Sequence, residues 1–243
     1  MVDGRQSGGG PRGSRSPRDP VLWAAAFLVL ALCTIYLPDL GHGFIKDDFV
    51  WIGTSQIDSK ASLVRLTGAP TGFFRPVVSL SFAANRWLCG LAPACYGLTN
   101  FLLLLGCAAG VAGLALAIGL PPGAALLASA LWSFNWHGID MSVLWISGRT
   151  SLLLVFFATW SATAFFRQRW ILAAVLCVAA MLSKEEAIAL PVILAGAALL
   201  GTRSRGGRRF SPRRVGVAAM GGILVEGLYG ALRVQSGAFT ATT

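Results

Sequence analysis

Residues 96–118 read YGLTNFLLLLGCAAGVAGLALAI, a continuous apolar stretch without one charged side chain. A helix needs about 20 such residues to cross the ~30 Å hydrocarbon core of a bilayer. The apolar residues do not alternate with polar ones, as they would in a strand of a membrane barrel. The stretch therefore predicts a transmembrane helix in an all-α membrane protein.

Six further apolar stretches extend this interpretation along the chain. Glycine, proline or charged residues separate them, and several are at or below the minimum length of a membrane span. They cover residues 21–37, 123–138, 149–166, 170–183, 187–201 and 215–232. Together the seven stretches predict a polytopic integral membrane protein with about seven transmembrane helices.

The composition excludes several classes of protein. Of the 243 residues, 55% are apolar and only 12% are charged, whereas soluble globular proteins carry about 25% charged residues. A soluble enzyme is therefore disfavoured. The net charge of +10 would suggest a nucleic-acid partner if it lay on one folded face, but its distribution fits membrane topology better. We expect no nucleic-acid partner.

Basic residues predict the orientation. Residues 1–20 are rich in Gly, Ser, Pro and Arg and predict a disordered tail, followed by a transmembrane domain over 21–233 and a second tail over 234–243. A cytoplasmic N-terminus places twelve of the twenty basic residues on the cytoplasmic side, as the positive-inside rule requires. They are Arg5, Arg12, Arg15, Arg18, Arg167, Arg169, Arg203, Arg205, Arg208, Arg209, Arg213 and Arg214.

The same orientation brings most acidic residues to the extracytoplasmic face. Charged residues follow or precede several predicted helices at this face, and charges near membrane depth usually pair or line a cavity. A shared polar cavity is the simplest interpretation. Its charged groups would be Lys46, Asp47, Asp48, Asp140, Arg149, Lys184, Glu185 and Glu186, with His137 at the same face.

The first extracytoplasmic loop contains the most suggestive pair. Asp47 and Asp48 lie in GHGFIKDDFVWI, residues 41–52, among aromatic side chains. Adjacent carboxylates at a bilayer surface suit proton abstraction or metal binding; the alternative is a solvated loop anchored by its aromatics. Further on, FFRPVVSLSFAANRWL from Phe73 to Leu88 predicts an interfacial helix. An oxidising compartment would allow a disulfide between Cys89 and Cys95.

These motifs, taken in order, resemble a known superfamily. The acidic pair after the first helix is followed by Phe74-Arg75-Pro76, then PACYGLTN, then GRTSLL, then SKEE, each at the start of a predicted helix. This succession resembles the N-terminal half of the GT-C membrane glycosyltransferases. It is most similar to the transmembrane-and-TPR-containing protein O-mannosyltransferases and their bacterial relatives. The last three motifs run from Pro93 to Asn100, Gly148 to Leu153 and Ser183 to Glu186.

The resemblance implies a function. Such enzymes transfer a sugar from a polyprenyl-phosphate donor to an acceptor protein, lipid or glycan on the extracytoplasmic side of the membrane. The resemblance implies that the catalytic acid is Asp47 or Asp48, without distinguishing them. It also implies that the protein lies among membrane lipids, in a bacterial inner membrane. Family members have more helices and often a C-terminal soluble or repeat domain. We therefore expect this domain to be incomplete, as a fragment, a truncated product or a minimal relative.

The proposed chemistry fits the residue types. A polyprenyl phosphate is a good leaving group once cations neutralise its charge, and one carboxylate can deprotonate the acceptor hydroxyl. We expect Arg75, Arg149 and Lys184 to bind the donor phosphate. Supporting roles fall to Glu185, Glu186 and His137. No cofactor is certain; the alternative role for the acidic pair is to hold a divalent cation on the phosphate.

Two other functions compete with the transferase. A transporter or lipid flippase would use the same charges as a gate or substrate path, but predicts ionisable residues near mid-membrane and an internal repeat. Almost every charge lies at a predicted helix end, and the sequence contains no repeat. A non-catalytic membrane subunit is the third alternative. The motif order favours the enzyme.

Overall fold

The computed structural model of the chain describes residues 19–60, 62, 73–135, 141–199 and 212–235. Within these ranges every regular element is a helix. The helices are α1 (Asp19–Tyr36), α2 (Asp48–Thr54), α3 (Pro76–Cys89), α4 (Pro93–Ala117), α5 (Pro122–Ser133), α6 (Arg149–Phe166), α7 (Trp170–Met181), α8 (Leu190–Leu199) and α9 (Pro212–Gln235), with short 3₁₀ helices at Leu37–Asp39, Ile146–Gly148 and Glu185–Ala189. The all-α prediction is confirmed for this part of the chain.

Within the described residues each predicted apolar stretch lies largely on one α-helix, except that 187–201 begins in the 3₁₀ helix Glu185–Ala189 before α8; the segment predicted as an interfacial helix forms α3. Proline sets three of the helix starts, because Pro76, Pro93 and Pro122 stand in the first turn, where a missing N–H costs nothing. Gly90 ends α3 with φ at 61°, a left-handed conformation that glycine adopts without strain.

The ends of the chain differ slightly from the prediction. Asp19 and Pro20 belong to the first turn of α1, although we expected them in the tail, because an acidic residue and a proline both favour a helix start. Val234 and Gln235 continue α9. The rest of both predicted tails lies outside the described residues.

The helices pack around α4 and α6. Helix α4 contacts α5 and α6, α6 contacts α7, α8 contacts α9, and α1 packs on α5. Leu32 of α1 and Leu104 of α4 are fully inaccessible. Helices α4 and α6 approach closely at Gly106, where an added Cβ would lie 2.6 Å from the Phe156 ring. Small residues allow such close helix contacts in membranes.

Three helical stretches of the described chain are long and apolar enough to cross a membrane. They are Pro20–Asp39, Pro93–Ala117 and Ile146–Phe166, and Trp170–Met181 is a shorter apolar helix. These stretches are consistent with a membrane protein. The other predicted spans stay a prediction.

The direction of the helices separates the charged residues into two ends. Helix α6 has 18 residues, which corresponds to a length of about 27 Å, so Gly148 and Arg167 lie at opposite ends of it. Helix α7 returns from Arg169 and ends just before Lys184. The backbone N–H of Val77 in α3 donates to the carbonyl of Leu182 at 3.2 Å. The starts of α3 and α6 and the end of α7 therefore lie at one end of the bundle.

Candidate functional site

The first loop forms a tight turn before α2. The backbone N–H of Ile45 donates to Oδ2 of Asp48 at 2.9 Å, and the N–H of Asp48 donates back to the carbonyl of Ile45 at 3.0 Å. Lys46 closes the turn with φ at 47°. Non-glycine residues rarely adopt this left-handed region, and such residues cluster at functional sites. The turn fixes the positions of Asp47 and Asp48.

Asp48 is fully buried. Besides the bond from Ile45, its Oδ1 accepts hydrogen bonds from the backbone N–H of Ser147 at 2.7 Å and from the Ser147 hydroxyl. Burying a carboxylate is costly unless its oxygens are hydrogen-bonded, and here three donors satisfy them. Asp48 therefore joins the first loop to the 3₁₀ helix Ile146–Gly148.

Asp47 has the opposite environment. It is exposed, it lines a cavity, and its carboxylate has no hydrogen-bond or ion-pair partner within the described ranges. The sequence did not distinguish the two aspartates. The structure separates them into an accessible carboxylate, Asp47, and a carboxylate used in packing, Asp48.

The cavity has a volume of about 340 Å³ and a lining that mixes polar and apolar groups; we call it the polar cavity because charged side chains line it. It combines one carboxylate, two cationic side chains, several hydroxyls and two indole rings. Its lining residues are Asp47, Trp51, Phe73, Arg75, Met141, Ser142, Trp145, Ser147, Gly148, Thr150, Ser151 and Lys184. The indole N–H of Trp145 is buried and has no partner among the residues that the structure describes. The cavity thus brings together Asp47, Arg75 and Lys184 of the predicted site.

Arg75 is held beside the cavity by an ion pair. Its Nε donates to Oε2 of Glu185 at 2.9 Å, its Nη2 donates to Oε1 at 2.7 Å, and its guanidinium stacks on the Phe73 ring at 4.4 Å. Burial alone would raise the pKa of Glu185, but these hydrogen bonds and the charges of Arg75 and Arg233 hold that pKa below its ordinary value. Glu185 is therefore an ionised carboxylate whose two oxygens both bind Arg75.

Lys184 is held more loosely. Its ammonium lies 2.9 Å from Oε1 of Glu186, which is largely exposed, and donates to the hydroxyl of Ser151 at 3.3 Å. An exposed ion pair contributes little to stability because water screens it. The Lys184 charge is thus available to an anion in the cavity.

Arg149 does not line the cavity. Its side chain is fully buried, and its donors bind the side-chain oxygens of Asn100 at 2.8 Å and Asn85 at 2.5 Å and the carbonyls of Tyr96 at 2.9 Å and Ser81 at 3.3 Å. The predicted phosphate contact does not fit this geometry, because the guanidinium is occupied by the protein. Arg149 instead links α3, α4 and α6.

Sequence reasoning missed the partners of these charged residues. Asn85 and Asn100 lie within the motif segments that predicted α3 and α4, and a polar side chain in an apolar helix is a signal for an internal partner. Ser147 carried no such signal, because it stands in a short connection. These three residues hold the buried Arg149 and Asp48 in place.

Other predicted features have mixed outcomes. His137 lies outside the described residues. Within those ranges no group of three His, Cys, Asp or Glu side chains lies close enough to hold a metal ion. Cys89 and Cys95 form a disulfide between the end of α3 and the start of α4, with a Cα–Cα distance of 6.3 Å.

A second cavity contrasts with the polar one. It has a volume of about 290 Å³, lies among α6, α7, α8 and α9, and is almost entirely apolar, with Phe165, Trp170 and Leu194 in its wall. None of its lining residues is charged.

No protein-family model, curated protein or solved structure matches this chain. The polar cavity is consequently interpreted from its own residues. One accessible carboxylate and two cations around an open volume suit the deprotonation of a hydroxyl next to an anionic group.

Proposed function

We propose that this chain transfers a sugar from a polyprenyl-phosphate donor to an acceptor hydroxyl on the extracytoplasmic face of the membrane, as a GT-C type glycosyltransferase with seven membrane spans. The observation that carries the proposal is the polar cavity, which Asp47, Arg75 and Lys184 all line. The motif order along the sequence supplies the class of donor and acceptor.

The residues divide the work of a direct displacement. Asp47 accepts the proton of the acceptor hydroxyl as that oxygen attacks the anomeric carbon of the sugar. The bond between this carbon and the phosphate oxygen breaks, and its electron pair leaves with the polyprenyl phosphate. Arg75 and Lys184 stabilise the negative charge on the departing phosphate. A single displacement inverts the anomeric carbon.

Several features support the extracytoplasmic placement of the cavity. Arg167 and Arg169 lie at the end of α6 remote from the cavity, and basic residues favour the cytoplasmic side. The disulfide Cys89–Cys95 joins α3 and α4, and disulfides persist in oxidising compartments. We therefore propose a cytoplasmic N-terminus in a bacterial inner membrane.

The transfer reaction tests this proposal. The purified full chain is reconstituted in liposomes with a radiolabelled mannosyl polyprenyl phosphate and a hydroxyl-bearing peptide, glycan or lipid acceptor. Asp47→Asn is expected to lower the rate of sugar transfer by about 10²–10⁴-fold, because it removes the general base. The free energy of unfolding is expected to change by less than about 0.5 kcal/mol, since Asp47 is an exposed residue.

Asp39→Asn is the matched control. Asp39 is an exposed acid at the end of the 3₁₀ helix Leu37–Asp39 and does not line the cavity, so this variant should transfer sugar at the parent rate. A chelator added to the parent enzyme distinguishes two roles of Asp47, because transfer would be lost if Asp47 holds a divalent cation and kept if Asp47 is a general base. Transfer by Asp47→Asn at the parent rate, or no transfer and no release of polyprenyl phosphate by the parent chain, would refute the proposal.

A further inference from the structure

Two glutamates accompany the cations of the polar cavity, and their geometries differ. Glu185 uses both carboxylate oxygens on Arg75, and its side chain is 29% exposed. Glu186 uses one oxygen on Lys184, and its side chain is 56% exposed. A bidentate, half-buried pair is geometrically specific, whereas a single exposed contact is not.

Arg75 is restrained on several sides. Glu185 occupies its Nε and one Nη2 hydrogen, the Phe73 ring covers one face of the guanidinium, and the side chain is only 12% exposed. The remaining nitrogen, Nη1, has no hydrogen-bond partner in the described part of the chain. Because Arg75 also lines the cavity, Nη1 and the second hydrogen of Nη2 are the donors left for a ligand there.

Restraining Arg75 in advance lowers the entropy lost when a ligand binds to it. An arginine side chain loses rotamer freedom when it binds an anion, and a guanidinium already fixed by a fork of hydrogen bonds loses less. A glutamine side chain cannot reproduce this fork, because its amide group offers one acceptor and turns two N–H donors toward the second arginine nitrogen. The substitution Glu185→Gln would therefore remove the two-acceptor contact with Arg75 while keeping the size of the side chain.

We propose that Glu185 is a positioning residue that holds the guanidinium of Arg75 ready for the phosphate of the polyprenyl-phosphate donor. The inference rests on the proposed function and assigns one glutamate of the pair a role in donor binding. Glu186 has no such role, because its contact with Lys184 is single and exposed.

Binding of a short prenyl phosphate tests the inference. The full chain in detergent is titrated calorimetrically with farnesyl phosphate and, separately, with the uncharged farnesol. Glu185→Gln is expected to raise the Kd for farnesyl phosphate by about tenfold, the loss of one charge-assisted hydrogen bond, and to leave the Kd for farnesol unchanged. The matched control Glu186→Gln should change either Kd by less than about threefold.

Glu185→Asp is the second variant. It keeps the charge on a shorter side chain, so its Kd for farnesyl phosphate should lie between those of the parent and Glu185→Gln. If Glu185 served packing alone, Glu185→Gln would weaken the binding of farnesyl phosphate and of farnesol alike. If Glu185 served to neutralise Arg75, Glu185→Gln would bind farnesyl phosphate more tightly than the parent. Each of these results would overturn the inference.

The outcomes also separate the inference from the proposed function. If the parent chain does not prefer farnesyl phosphate to farnesol, donor binding in this cavity and the role of Glu185 fail together. If the parent prefers the phosphate and Glu185→Gln and Glu185→Asp bind it as the parent does, only the role of Glu185 fails.

Discussion

At the scale of single residues, Asp47 and Asp48 are covalent neighbours that perform different tasks. Asp48 is fully buried and receives hydrogen bonds from Ile45 and Ser147, whereas Asp47 is exposed in the wall of the cavity. Burial and three donors make Asp48 a residue of packing. Exposure and the absence of a partner among the described residues leave the Asp47 carboxylate accessible from the cavity.

Substitution of Asp48 should therefore affect stability. In Asp48→Asn, the new amide group turns N–H donors toward the N–H of Ile45 or the donors of Ser147, and a buried donor without an acceptor costs about 1–3 kcal/mol. Thermal unfolding in detergent measures this loss. Asp47→Asn is the matched comparison and should unfold near the parent temperature. Equal unfolding temperatures for the two variants would contradict the assignment.

The difference between the aspartates could not be predicted from the sequence. The carboxylate of Asp48 meets Ser147, which stands 99 positions further along the chain. A local pattern of two acids among aromatic residues indicates a site, and it contains no information on a distant donor. The sequence singles out the pair, but the different environments of its two members depend on this tertiary contact.

At the scale of helices, Arg149 is the main connection. Located at the first residue of α6, it binds Asn85 of α3 and Asn100 of α4, and its guanidinium lies 4.6 Å from the centre of the Phe82 ring. One side chain thereby links three helices, and the first turn of one of them, α6, contributes Thr150 and Ser151 to the lining of the polar cavity. Its planar group with several donors suits this role better than a lysine ammonium.

Arg149→Lys should destabilise the bundle. Lysine keeps the charge but cannot reach all four oxygen acceptors, so buried acceptors lose their donors at a cost of roughly 2–4 kcal/mol. Denaturant unfolding in mixed micelles measures the loss, and the exposed Arg167→Lys serves as the control. If Arg149→Lys kept the parent stability and weakened only the binding of farnesyl phosphate, the phosphate role predicted from the sequence would hold instead.

The helices themselves were largely predictable. Continuous apolar stretches indicate helices because a membrane segment must satisfy its own backbone hydrogen bonds, and the stretch 149–166 coincides with α6. The burial of Arg149 could not be predicted from the sequence, for a physical reason. A charged residue at a predicted helix end is usually accessible, and the burial of Arg149 depends on acceptors that α3 and α4 supply.

At the scale of the whole molecule, charged residues lie at both ends of α6. The cavity end carries Asp47, Arg75 and Lys184, and the opposite end of α6 leads to Arg167. The sequence predicts this placement, because most acidic residues fall in the connections on one side of the membrane and twelve of the twenty basic residues fall in those on the other. The proposed reaction depends on the side of the membrane that the cavity faces.

Cysteine accessibility in intact cells tests this dependence most directly. In a chain whose free cysteines Cys33, Cys107 and Cys177 are replaced by alanine, Asp47→Cys and Arg167→Cys are introduced separately and treated with a membrane-impermeant maleimide. We expect Asp47→Cys to react in intact cells and Arg167→Cys to react only after the membrane is permeabilised. Labelling of Arg167→Cys in intact cells, with Asp47→Cys protected until permeabilisation, would place the cavity in the cytoplasm and contradict the account.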